Sequence, residues 1–191
     1  KIDVLKKLPT SPPSKEKIIN YLKTLIVELE NNKEFSKDVA HAKQEILKLK
    51  DPISYNNAAQ LFWYNKSPIT AIAISLMLAE KSNYNTLHLN NLSALLNLTG
   101  NPERAIPILL YIDKTEHGSV MVNNNLGQSY FQLGDIEVAS KYLKLVIQKE
   151  KNHIQANLTL GIISAKTNKN QDAEKYLINS LKGGFTEDAY N

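Results

Sequence analysis

Paired asparagines stand at 56/57, 90/91 and 124/125, each pair 34 residues after the last. A primary amide offers hydrogen-bond donors and an acceptor, so a row of amides can hold the main chain of an extended peptide whatever its side chains are. Little else in the chain has the residue types for chemistry. There is no cysteine, which removes disulfides, thiolate nucleophiles and thiol-ligated metals. The histidines, at 41, 88, 117 and 153, fall in four separate segments, and no two have the spacing that puts metal ligands on one helix. His117 and His153 stand where surface or helix-capping roles are expected. No phosphate-binding glycine loop and no nucleophile elbow is found. Acid pairs such as Asp172 and Glu174 read as solvated helix faces. The expectation is a binding protein: not an enzyme by itself, with no cofactor and no metal.

Charge narrows the class of partner. Of the formal +4, all is carried by residues 1–50, with eleven Lys against seven acids. Residues 51–191 balance eleven Lys and Arg104 against twelve acids. Arg104 is the sole arginine, so the bidentate forks that favour phosphate recognition are almost missing and nucleic acid is not the expected partner. The longest apolar stretches, such as Ile69 to Ala79, contain Thr and Ser and fall short of the roughly 20 residues a membrane span requires. The compartment is left open, since a cysteine-free chain suits any redox state.

The asparagine pairs belong to a larger pattern. Leu92-Ser93, Leu126-Gly127 and Leu160-Gly161 share one register, Ala71, Ala105, Ala139 and Ala173 another, and Ser75, Leu109, Leu143 and Leu177 a third. A fixed period of this size implies stacked copies of one supersecondary unit. Turn signals divide each copy at Lys66-Ser67-Pro68, Gly100-Asn101-Pro102, Gly134-Asp135 and Asn168-Lys169-Asn170. Ser67, Asn101 and Asp135 are N-cap types, and Pro68 and Pro102 sit at a first helical position. Each unit therefore reads as helix, turn, helix, with no strand. Pro107 falls inside a helix and is expected to kink it or cost it a hydrogen bond. Ahead of the units, residues 1–13, with Pro9, Pro12 and Pro13, read as an extended lead-in. Residues 14–51 read as a helical hairpin, its helices capped by Ser14 and Ser36 and carrying Ile18, Leu22, Leu25 and Leu29, then Val39, Ala42 and Ile46.

These residues resemble the tetratricopeptide repeat family, whose unit runs large residue, leucine with glycine or alanine, aromatic, then alanine in the second helix. The third unit shows the pattern most fully, with Leu126-Gly127, Tyr130, Gly134-Asp135, Ala139 and Leu143. The departures are Asn123 and Asn157 at the large position, and Asn83, His117, Lys151 and Phe185 where a closing proline is common. The resemblance implies an all-α fold: an α-solenoid (right-handed superhelix) of four repeats at 52–85, 86–119, 120–153 and 154–187. They follow the N-terminal hairpin, a degenerate repeat or cap, and precede the start of a truncated helix or tail at 188–191.

The resemblance also implies an inner groove lined by the first helix of each unit and holding a protein or peptide. Carried over, the groove positions are Asn56, Asn57, Gln60 and Trp63, then Asn90, Asn91 and Asn97, then Asn124, Asn125, Gln128 and Phe131. Asn57, Asn91 and Asn125 match the asparagine ladder of a glycosyltransferase's repeat superhelix, although structural duty between helices is the competing role there. Trp63 either faces the groove or packs on the N-terminal hairpin. The carboxylate clamp of chaperone adaptors is absent: its basic positions hold Asn90, Asn124, Met121, Gln155 and Thr159. The expected function is a scaffold or adaptor for an extended segment, or else the recognition arm of a larger enzyme, secretion or assembly complex. Self-association through solenoid ends is a further expectation.

Overall fold

The computed structural model describes residues 2–49 and 51–184, and among them every regular element is an α-helix. After α1 (Ile2–Leu5) come the hairpin helices α2 (Lys15–Asn31) and α3 (Ser36–Leu47). Four pairs follow: α4 (Pro52–Tyr64) with α5 (Pro68–Lys81), α6 (Thr86–Leu98) with α7 (Pro102–Thr115), α8 (Val120–Leu133) with α9 (Ile136–Lys149), and α10 (Ile154–Lys166) with α11 (Asn170–Gly184). First helices start at Pro52, Thr86, Val120 and Ile154 and second helices at Pro68, Pro102, Ile136 and Asn170, each 34 residues after its predecessor.

Local chemistry sets most of these boundaries. A helix's first N–H groups have no partner within it, so a side-chain acceptor there stabilises the start. Ser14 accepts from the Lys17 N–H at 3.3 Å, Asp51 from Ser54 at 2.9 Å and Asp135 from Val138 at 3.1 Å. His153 takes the capping role foreseen for it, its Nδ1 accepting from the Ala156 N–H at 3.2 Å. Two expected caps fail. Ser36 is the first helical residue, with Phe35 ahead of it, and Ser67 makes no capping bond. The lead-in is not wholly extended either, because α1 packs on α8 and half-buries Val4 and Leu5. Here tertiary burial overrides a proline-rich neighbourhood. α7 continues through Pro107 without a break. The expectations for residues 185–191 lie outside the described residues.

The turn within each pair reverses the chain through one left-handed residue. Lys66 (φ 58°), Gly100 (77°), Gly134 (89°) and Asn168 (59°) share that conformation at 34-residue intervals. Left-handed backbone costs an L-residue about 1–2 kcal/mol, a penalty glycine escapes. Lys66→Gly is therefore expected to stabilise by about 0.5–1 kcal/mol, the relief being partly offset by glycine's greater freedom when unfolded. Gly134→Ala is expected to destabilise by about 1–2 kcal/mol. Urea titration of the two variants tests both signs.

The described chain divides into two compact units, one of Pro9–Lys114 and one of the residues up to Leu8 with those from Thr115 onward. In the first, α5 is enclosed: Thr70 to Leu76, Leu78 and Ala79 are all buried. α4 and α6 pack on it, and so do both hairpin helices. The hairpin is pinned by polar bonds as well. Thr70 Oγ1 donates to Asp38 at 3.2 Å, Tyr21 donates to the Arg104 carbonyl at 3.0 Å, and Arg104 pairs with Glu28 at 3.0 Å. Burial pushes the Tyr21 phenol well above its ordinary pKa, so it is held as a neutral donor.

The second unit is built on Ala139, Leu143, Val146, Ala156, Leu160 and Ile163, against which Tyr130, Phe131 and Tyr176 pack. The Tyr130 and Tyr142 rings stack at 5.9 Å, and burial pushes the Tyr130 pKa up to about 12. Asn157 departs from the expected large residue for a legible reason. It is fully buried, and its amide donates to the Lys151 and His153 carbonyls, both at 2.9 Å, fastening the loop that enters α10.

Candidate functional site

α8 and α10 lie side by side, and their amides form one connected cluster. Asn124 Nδ2 donates to Gln155 Oε1 at 2.9 Å. Gln128 Nε2 reaches the Gln155 carbonyl at 3.4 Å and Asn124 Oδ1 at 3.5 Å, while Gln128 Oε1 accepts from Thr159 Oγ1 at 3.1 Å. The two contacts from Gln128 Nε2 are long for good hydrogen bonds, so a better acceptor can displace them cheaply. Helical geometry makes the cluster: Asn124 and Gln128 are four apart on α8, as Gln155 and Thr159 are on α10, which puts each pair on one face. Phe131 extends this face, with the Lys166 ammonium 5.6 Å from its ring centre.

In the unit of residues 9–114, Trp63 has a different setting. It is half-buried on the wall of a cavity of about 440 Å³. Hairpin residues Leu25, Leu29 and Phe35 share that wall with Pro68, Ile69 and Ile72 of α5. Of the two settings expected for Trp63, this is the one against the N-terminal hairpin.

Residues 122–153 match the tetratricopeptide repeat. Among solved structures, the chain resembles a crystal structure of MamA at 15% identity and TM-score 0.59, over 76% of this chain and 86% of that one. It also resembles an RS-1 MamA double mutant at 12% identity and TM-score 0.61, over 91% and 97%. A MamA fragment from residue 41 to the end, from Desulfovibrio magneticus RS-1, aligns at 11% identity and TM-score 0.62, again over 91% and 97%. Residues 122–153 are thus a tetratricopeptide repeat. The fold the chain shares with those structures is an all-α solenoid. No curated protein sequence matches the chain.

Within the tetratricopeptide frame, the positions carried over from the sequence spread over a range of burial. Asn57 and Gln60 are exposed. Asn91, Asn125, Gln128 and Phe131 are half-buried, and Asn90, Asn97 and Asn124 are buried at 6, 7 and 5% exposure. The Asn56 side chain lies outside the described residues. The structure brings Asn124 and Gln128 together, with Phe131 beside them. It adds two residues that sequence reasoning named only as lacking a positive charge, Gln155 and Thr159. Thr159 stood in register with Asn57, Asn91 and Asn125, which was the available signal. Gln155 carried no such mark, being one repeat on from Met121. Among the described residues no group of His, Asp or Glu is placed to hold a metal, and no helix is long and apolar enough to cross a membrane.

Proposed function

We propose that this repeat protein is a scaffold that holds an extended segment of a protein partner along its first helices, at the cluster of Asn124, Gln128, Gln155 and Thr159. The observation that carries this reading is the shared amide face of α8 and α10, whose weakest bonds are the two made by Gln128 Nε2. A peptide carbonyl arriving there exchanges a 3.5 Å contact for a shorter one, and the amide oxygens accept from peptide N–H groups. With no basic side chain among the four, recognition rests on main-chain hydrogen bonds and on apolar contact with Phe131. Such binding falls only weakly with added salt. Replacing Asn124 and Gln128 together by Ala is expected to weaken the partner about tenfold or more, at about 1 kcal/mol per lost bond. Calorimetry with the partner captured from native extract measures this, and unchanged affinity rules out the amide face. An open reading frame adjoining a catalytic domain would instead make the chain the recognition arm of a larger enzyme or assembly.

A second reading, self-association, is favoured by the face of α10 turned from the first cluster. Ile154, Leu158 and Ile162, at i, i+4 and i+8, are 45, 44 and 37% exposed, with Ile178 and Leu181 of α11 exposed at 43 and 59%. Leu158 and Ile162 stand one repeat on from Asn124 and Gln128, the residues through which α8 meets its neighbour. The same face on α10 is therefore shaped to stack on another helix and is aliphatic where α8 is polar. If a second copy covers it, Leu158→Glu shifts the sedimentation profile to monomer. Monomer alone in the parent protein over a wide concentration range defeats this reading.

A further inference from the structure

The sole tryptophan and the sole arginine of the chain, Trp63 and Arg104, border the same cavity of about 440 Å³ beneath the N-terminal hairpin. It is a partly open cleft, with the exposed Leu98 and the half-exposed Glu28 on its lining. The aliphatic side chains on its walls include Leu25, Leu29, Ile72, Leu76 and Leu96. Each of these five is otherwise buried. The volume lies within the range of small-molecule sites, which are characteristically apolar with a few placed polar groups.

The polar residues of the lining are Glu28, Asn32, Thr99, Asn101 and Arg104. Arg104 and Glu28 pair at 3.0 Å and are about one-third and one-half exposed, with Asn101 on the same lining. A guanidinium has five N–H donors, and one such ion pair leaves donors for an oxygen acceptor. Because the two charges cancel, a neutral carbonyl is accommodated there as readily as an ionised one. From the volume, at about 30 Å³ per water-sized group, the cavity takes roughly ten to fourteen heavy atoms. A flexible aliphatic chain follows irregular leucine and isoleucine walls better than a rigid ring does.

From this arrangement, we infer that the cavity under the hairpin is a binding site for a medium-chain acyl group, its tail along Trp63 and the leucines and its carbonyl oxygen at Arg104. The site belongs to the unit of residues 9–114, and its occupancy stabilises the packing of the hairpin on α5. Free fatty acid and esterified acyl chain share this chemistry.

Trp63, being the only tryptophan, reports the site directly. The full chain is titrated with decanoate and, in parallel, with methyl decanoate, both below their aggregation limits. The inference expects a saturable change in Trp63 emission in the micromolar range and a rise in melting temperature. Response to decanoate alone identifies the free acid as ligand, and response to methyl decanoate as well identifies the acyl group in general. Ile72→Phe and Leu29→Phe fill the cavity from opposite walls. Whichever keeps its native circular dichroism is expected to bind about tenfold or more weakly. No saturable response to either probe, or an undiminished response in a folded filled variant, overturns the inference.

Discussion

Gly127→Ala is expected to cost about 1–3 kcal/mol through overpacking, Leu143→Ala about 2–5 kcal/mol through the cavity it leaves, and the two together clearly less than their sum. A Cβ on Gly127 would stand 2.5 Å from Leu143 Cγ and 2.6 Å from its Cδ2, inside any real contact. Leu143 cannot swing aside, since it is fully buried in the α8–α11 core. The Ala139 carbonyl, 3.4 Å from the same point, closes the other way out. Shortening Leu143 removes the clash and leaves a space that the new methyl partly fills, so the two costs overlap. The cycle is read from urea midpoints, or from melting temperatures at about 2–4 °C per kcal/mol for a chain of this size.

The repeat itself already contains versions of this cycle. Gly161 meets Leu177 one unit on, with a Cβ contact of 2.9 Å. In the earlier units the corresponding pairs are Ser93 with Leu109 and Ala59 with Ser75. Where the outer helix presents serine, the inner one affords a methyl; where it presents leucine, two units of three reduce the inner residue to glycine. Strict additivity in the cycle would mean that the two positions do not share space and that this reading of the register is mistaken.

What was legible in the sequence follows from the same physics. Helix–helix contact repeated at a fixed offset imposes a size requirement at each position, so the period showed in the small and large residues and gave the helix pairs. The left-handed turn residues showed where they were glycine, at 100 and 134, and were concealed at Lys66 and Asn168, which bear the strain instead. The candidate site was less legible. An asparagine in a groove, one bonded across helices and one fastening a loop are the same letter. Asn124 bonds across helices to Gln155 within the proposed site, and Asn157 fastens a loop. Gln155 joined the cluster through the packing of α10 on α8, a tertiary fact with no local signature. The seat of Trp63 likewise depended on where the hairpin packs, and period and composition do not encode that.

Leu25→Asp is expected to destabilise by about 3–5 kcal/mol, losing leucine packing and placing a carboxylate among apolar walls, whereas Lys23→Asp on the exposed face of the same helix changes stability little. The reason lies in α5. From Ile69 to Ala79 only Thr70 and Ser75 are polar and both are buried, a composition a helix tolerates only when it is covered all round. α4 and α6 cover part of its surface, and the rest is left to the hairpin. The α2 stripe of Ile18, Leu22, Leu25 and Leu29 is buried to 9% exposure or less. Leu25 and Leu29 share a cavity wall with Ile69 and Ile72, and Ile46 of α3 packs with Leu78. The hairpin thus contributes to the core around α5. Native-state hydrogen exchange separates the two cases. If the hairpin is integral, Leu25→Asp lowers amide protection in α5 together with that in α2. Unaltered protection in α5, with loss confined to α2 and α3, would show that the hairpin is a detachable cover and that α5 is stable without it.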